Sequence, residues 1–118
     1  MTYTVENIAD VRRAYEEAEE FTTLPPVHPG EILREDFMTA YGMSAGAVAR
    51  ALDLPRSRIE RIVKEEIGIS TDTALRLSKL FRTSHQFWLN LQSQFESEVL
   101  FIEIGPDLDR ITPVPEAA

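Results

Sequence analysis

Apolar residues recur at spacings of three and four along most of this chain, and short polar, proline or glycine punctuation separates one such run from the next. In VENIADVRRAYEEAEEF, Ile8, Val11, Tyr15 and Ala18 make one stripe opposite a strongly acidic side, which predicts a helix over residues 6–20. TTLPPVHPG then holds three prolines and a glycine, so that helix stops and a linker follows. Pro29 suits the first position of a helix through EILREDFMTAY, with Leu33, Phe37 and Tyr41 on one face and Gly42 ending it. Ser44 is a natural N-cap for AGAVARAL, with Val48, Ala49 and Leu52 inward. Pro55 opens RSRIERIVKEE. Ser70 can cap TDTALRLSKLF, where Asp72 lies in the positive first turn and Ala74, Leu77, Leu80 and Phe81 form the stripe. Ser84 can cap HQFWLNLQSQF, in which Phe87, Leu91 and Phe95 repeat every four residues beside Trp88.

These patterns predict an all-α fold of five short helices, preceded by the acidic helix and followed by a tail. VLFIEI, at residues 99–104, is rich in β-formers, while Phe95, Val99 and Ile102 also continue a helical spacing; we read one β-strand there, with a helix as the alternative. GPDLDRITPVPEAA reads as a tail frayed at its end. The expected organisation is residues 1–25 as acidic helix and linker, 26–98 as the main domain and 99–118 as the tail.

Charge changes this picture because it is unevenly spread. The formal total is -8 over 118 residues, yet residues 1–31 carry seven acids against two bases, residues 32–94 seven against nine, and residues 95–118 six against one. A slightly basic middle between acidic ends implies different partners for the middle and the ends. Cysteine is absent, which excludes disulfides, thiolate nucleophiles and Cys-based metal sites and fits a reducing cytoplasm. No apolar run reaches the roughly 20 residues that span a bilayer, and MTYTVENIADVRR lacks the apolar block of a signal peptide, so no membrane partner and a cytoplasmic location are expected. His28 and His85 are not in a metal-ligand spacing, and no phosphate loop, nucleophile elbow or HExxH motif occurs; no metal, no cofactor, no small-molecule substrate and no catalysis are expected.

The positive charge concentrates in PRSRIERIVKEE. On a helical wheel that starts at Arg56, Lys64 falls at about 80°, Arg61 at about 140° and Arg58 at about 200°, while Ile59, Ile62 and Val63 lie between roughly 240° and 340°. An apolar third would dock this helix, and a wide arc would present Arg56, Ser57, Arg58, Arg61 and Lys64, partly offset by Glu60 and Glu65. A solvated helix face is the simpler explanation of such an arc. The preceding helix favours another: Ala49, Leu52, Leu54, Ile59 and Ile62 are spaced to pack two helices across a tight Asp53-Leu54 turn, with small Ala49 at the closest approach. In a helix-turn-helix the second helix enters the major groove, about 12 Å wide. Arg56, Ser57, Arg58 and Arg61 are then candidates for base edges, and Lys64, Arg50 and the N-cap Ser44 for phosphate.

HPGEIL, ALDLPRSRIERIV, TDTALRLSKLF and FWLNLQ, in this order and spacing, resemble the HigA/VapI family of type II antitoxins over residues 26–96. The resemblance implies a Cro/repressor-type helix-turn-helix domain, a homodimer on a double-stranded DNA operator in its own promoter, and neutralisation of a HigB-type, RelE-like RNA-cleaving toxin. It also favours Trp88, Leu91 and Phe95 as a dimer seam rather than plain core. A toxin that binds RNA carries a basic surface, which the acidic helix with Tyr15, Glu16, Glu19 and Glu20 could cover, unless that side only solubilises.

The chain departs from the family pattern at the DNA contacts. Ala45, followed by Gly46, stands where members often place a phosphate-binding Gln; Asp53 replaces a turn Gly; Glu65, Glu66 and Ile67 replace a basic Gly-Lys-Arg type loop. Each change removes a phosphate contact or adds repulsion. A sequestering module on a helix-turn-helix scaffold with weak or lost DNA binding is therefore the alternative reading, and an orphan regulator a third.

Overall fold

The computed structural model describes residues 25–116, and among them every regular element is a helix. Residues Val27–Phe95 form one compact unit. The predicted acidic helix at 6–20 lies outside the described residues.

Helix α1 starts as Pro29–Ile32, widens into a π-helical stretch at Leu33–Met38 and closes as Thr39–Tyr41. Its start is built by HPG: the Gly30 N–H donates to His28 Nδ1 at 2.9 Å, and Pro29 supplies the preset φ of a first helical turn. The widening centres on Arg34, whose carbonyl accepts from both the Thr39 N–H and the Thr39 hydroxyl, the latter at 2.9 Å. A π turn admits one extra residue per turn, and the three-four spacing of the apolar residues gave no sign of it. Gly42, at φ 61, ends α1 in the left-handed conformation that glycine adopts without strain.

Helices α2 (Ala45–Leu52), α3 (Arg56–Val63), α4 (Thr71–Phe81) and α5 (His85–Glu103) follow, and a short α6 (Gly105–Asp109) comes last. Ser44, Ser70 and Ser84 cap α2, α4 and α5 as expected, their hydroxyls accepting from Ala47, Thr73 and Phe87 N–H groups at 3.1, 3.2 and 3.0 Å. The core joins Leu33 of α1, Val48, Ala49 and Leu52 of α2, Ile59 and Ile62 of α3, Ala74, Leu77 and Phe81 of α4, and Trp88 of α5. Phe37 completes it from α1, its ring 5.0 Å from that of Trp88 and 5.1 Å from that of Phe81. Tyr41, expected on the same face, is mainly exposed and meets only the rim of this cluster, 5.5 Å from the Phe81 ring.

The strand expected at 99–104 is corrected: α5 continues through Glu103. Val99 is fully buried one turn after buried Phe95, so the four-residue spacing prevailed over β-propensity. No strand exists among the described residues to pair with it. The tail likewise holds one more turn of helix than expected, α6, which starts with Gly105-Pro106 and places Asp107 3.1 Å from Arg110. No helix among the described residues is long and apolar enough to cross a membrane.

Candidate nucleic-acid interface

The turn between α2 and α3 is tight because Asp53 adopts φ 57, ψ 48, a left-handed conformation that aspartate tolerates better than most residues. The Asp53 and Leu54 N–H groups close the α2 carbonyls of Arg50 and Ala49 at 3.2 and 2.9 Å, and Pro55 then caps α3. Ile59 and Ile62 are fully buried and fix α3 on the core. The opposite arc is open: Ser57 is exposed, and the side chains of Arg56, Arg58 and Arg61 keep 72%, 41% and 57% of their surface.

Lys64 ends α3 as its C-cap, at φ -85, ψ 1, with its N–H still bonded to the Glu60 carbonyl at 3.0 Å, and its side chain is exposed. The arginines also have intramolecular company: Arg56 faces Glu60 at 3.6 Å, Arg58 faces Asp72 at 3.6 Å and Arg61 faces Glu66 at 3.5 Å. Exposed pairs of this length contribute about 0.2–1 kcal/mol each. A bidentate arginine-guanine contact discriminates by about 1–3 kcal/mol, so these acids moderate the arc without closing it. Arg50 and Lys64 make no ion pair among the described residues, and Arg50 and Ser44 are exposed at opposite ends of α2.

The connection after α3 holds a latch that the sequence did not reveal. Gly30 approaches the Ile62 carbonyl so closely that a Cβ there would lie 1.9 Å from its oxygen. The Arg34 guanidinium donates to the Val63 carbonyl and lies 3.6 Å from the Glu65 carboxylate. Glu65 itself adopts φ 62, at the position where the resemblance led us to expect glycine, and its ion pair with Arg34 accompanies that left-handed backbone. His28 is buried; loss of solvation, then the nearby Arg34 charge, lower its pKa to about 4 against an opposing hydrogen bond with the Ile67 backbone. Neutral His28 can therefore accept from Gly30 through Nδ1. Farther along, Gln92 Oε1 accepts from Ile69 N–H at 2.7 Å, so α5 holds the same connection from its other end. HPG was legible as a helix start, but its contact with α3 joins residues about thirty positions apart.

The other site expectations divide. Trp88 and Phe95 are 0% and 1% exposed, and Trp88 Nε1 donates to Thr83 Oγ1 at 2.8 Å, which places both in the interior of the chain rather than on a dimer seam. Leu91 alone of that trio keeps part of its surface. Tyr15, Glu16, Glu19 and Glu20 lie outside the described residues.

Residues 33–88, from α1 into α5, match the helix-turn-helix family. Virulence-associated protein I of Dichelobacter nodosus is 49% identical over 73 residues, which span 62% of this chain and 68% of that protein. Among solved structures, the Pseudomonas aeruginosa antitoxin HigA with the higBA promoter is 42% identical at a TM-score of 0.73, over 76% of this chain and 99% of that one. Antitoxin GraA in complex with its operator is 39% identical at a TM-score of 0.74, over 79% and 95% of the two chains. By its helix-turn-helix geometry and by these likenesses, the chain belongs to the HigA/VapI family of helix-turn-helix antitoxins.

Proposed function

We propose that this protein is an antitoxin and autorepressor that binds an operator in its own promoter as a homodimer and neutralises a HigB-type RNA-cleaving toxin. The observation that carries the DNA part is the division of α3 into buried Ile59 and Ile62 and an outward arc of Arg56, Arg58 and Arg61. HigA with its promoter and GraA with its operator supply the precedent. In the bound form the N-terminal part of α3 lies in the major groove, where Arg56, Ser57, Arg58 and Arg61 face base edges. Ser44, Arg50 and Lys64 touch phosphate on either side. Two-fold pairing sets the two α3 helices about 34 Å apart, one turn of the duplex. Functionally, residues 26–98 form the DNA-binding and dimerisation domain, residues 1–25 with Tyr15, Glu16, Glu19 and Glu20 offer an acidic surface to the basic toxin, and residues 99–118 are an appended tail.

A second reading, a toxin-sequestering module with weakened DNA binding, is favoured by the carboxylate beside each of the three groove arginines. Fluorescence anisotropy on the DNA upstream of the gene, at several salt concentrations, separates the two. Under the repressor reading Arg58→Ala lowers affinity and relaxes base preference, whereas Lys64→Ala weakens binding to all duplexes and flattens the salt dependence by about one unit of slope per half-site, about two for the dimer. Equal and small effects from both substitutions favour the sequestering module.

A further inference from the structure

Asp72 stands in the first turn of α4, outside the helix-turn-helix, yet its Oδ2 is shared by two arginines. Arg76 Nε donates to it at 3.0 Å, and Arg76 Nη1 donates to the carbonyl of Leu52, the last residue of α2, at 2.7 Å. Arg58 Nη1 of α3 faces the same oxygen at 3.6 Å. A continuous polar chain thus runs from the end of α2, through Arg76 and Asp72 on α4, to Arg58 in the candidate groove arc. Arg56 and Arg61 differ: their acids, Glu60 and Glu66, lie four and five residues along the same stretch of chain and have no such second anchor among the described residues.

We propose that Asp72 is a specificity-determining residue, a carboxylate held by Arg76 that positions Arg58 for base recognition. This rests on the DNA-binding reading given above. The chemistry suits the task. A guanidinium has five N–H donors in a fixed fork, so Arg58 can keep Nη1 on Asp72 while the edge formed by Nε and Nη2 stays available for guanine O6 and N7. Holding the side chain in advance removes part of the ordering entropy that binding would otherwise take from it. The same carboxylate repels phosphate, which disfavours Arg58 settling on the backbone of an unrelated sequence. Asp72 therefore improves discrimination while lowering indiscriminate binding.

The test uses the full chain, the bound segment of its upstream DNA, a set of that segment with single base-pair changes, and an unrelated duplex. Asp72→Asn and Asp72→Ser are compared with the unsubstituted chain, Arg58→Ala and the double variant Arg58→Ala/Asp72→Asn, with a thermal melt of each. Both Asp72 variants are expected to flatten the preference at the one base pair that Arg58→Ala also flattens. They should reduce the ratio of specific to unrelated binding about fivefold with equal or tighter binding to the unrelated duplex, and the double variant should behave as Arg58→Ala. The proposal is overturned if the Asp72 variants keep the original base profile, if they weaken all duplexes equally alongside a lowered melting temperature, or if the substitution still alters the profile without Arg58. An unsubstituted chain with no preference among the duplexes would instead remove the DNA-binding reading itself.

Discussion

The His28 imidazole is buried, caps α1 by accepting from Gly30, and takes up a proton only near pH 4 when folded, against an ordinary histidine value of 6.5. Between those values the unfolded chain binds more protons than the folded one, so stability falls as pH drops from 6.5 toward 4. In His28→Asn the amide oxygen can still accept from Gly30 but does not titrate. Denaturant unfolding at about pH 7.5 and about pH 5.0 should show the unsubstituted chain losing about 2 kcal/mol more than His28→Asn over that interval. Equal losses would mean that His28 is protonated in the folded protein. A histidine beside a helix start was visible in the sequence; its burial was not, because that depends on α1 packing against residues more than thirty positions away.

At the scale of elements, the helices and their caps were largely legible. Ser44, Ser70 and Ser84 each precede an apolar-periodic run and each bonds as a cap. Two things escaped: the π-helical turn in α1, set by a threonine bonding back to Arg34, and the helical course of VLFIEI, where burial of Val99 outweighed β-propensity. The seating of α3 depends on a contact between distant residues that no local spacing announces. Gly30 lies against the Ile62 carbonyl, so Gly30→Ala forces the end of α3 or the start of α1 to move, at a cost of about 1–3 kcal/mol. A melting temperature lower by at least about 5 °C is expected, together with weaker operator binding. The control is Gly46→Ala, also within a helix, where the nearest atoms to the added methyl are 3.5 Å away, an ordinary contact. It should leave stability unchanged or slightly higher through helix propensity. Equal effects from the two substitutions would mean that α1 does not set the position of α3.

Across the whole molecule, opposite charges are sorted by segment, with the cations gathered in the helix-turn-helix part and acids dominating both ends. That sorting was fully legible, as were the inward isoleucines and outward arginines of α3. The partners of those arginines were not: Arg58 and Asp72 belong to different helices, and no spacing rule joins them. The dimer seam placed on Trp88 and Phe95 failed for a related reason, since an aromatic stripe looks the same whether it faces the core or a second copy. The central proposal is that α3 reads the major groove with its arginine arc. The most direct test replaces single guanines of the bound DNA by 7-deazaguanine, which deletes the N7 acceptor and leaves base pairing intact, and measures affinity for the unsubstituted chain and for Arg58→Ala. With Arg58 on a base edge, the unsubstituted chain should lose about 1–3 kcal/mol at one guanine per half-site while Arg58→Ala loses nothing further; indifference of the unsubstituted chain to every such replacement would mean that α3 does not read the groove.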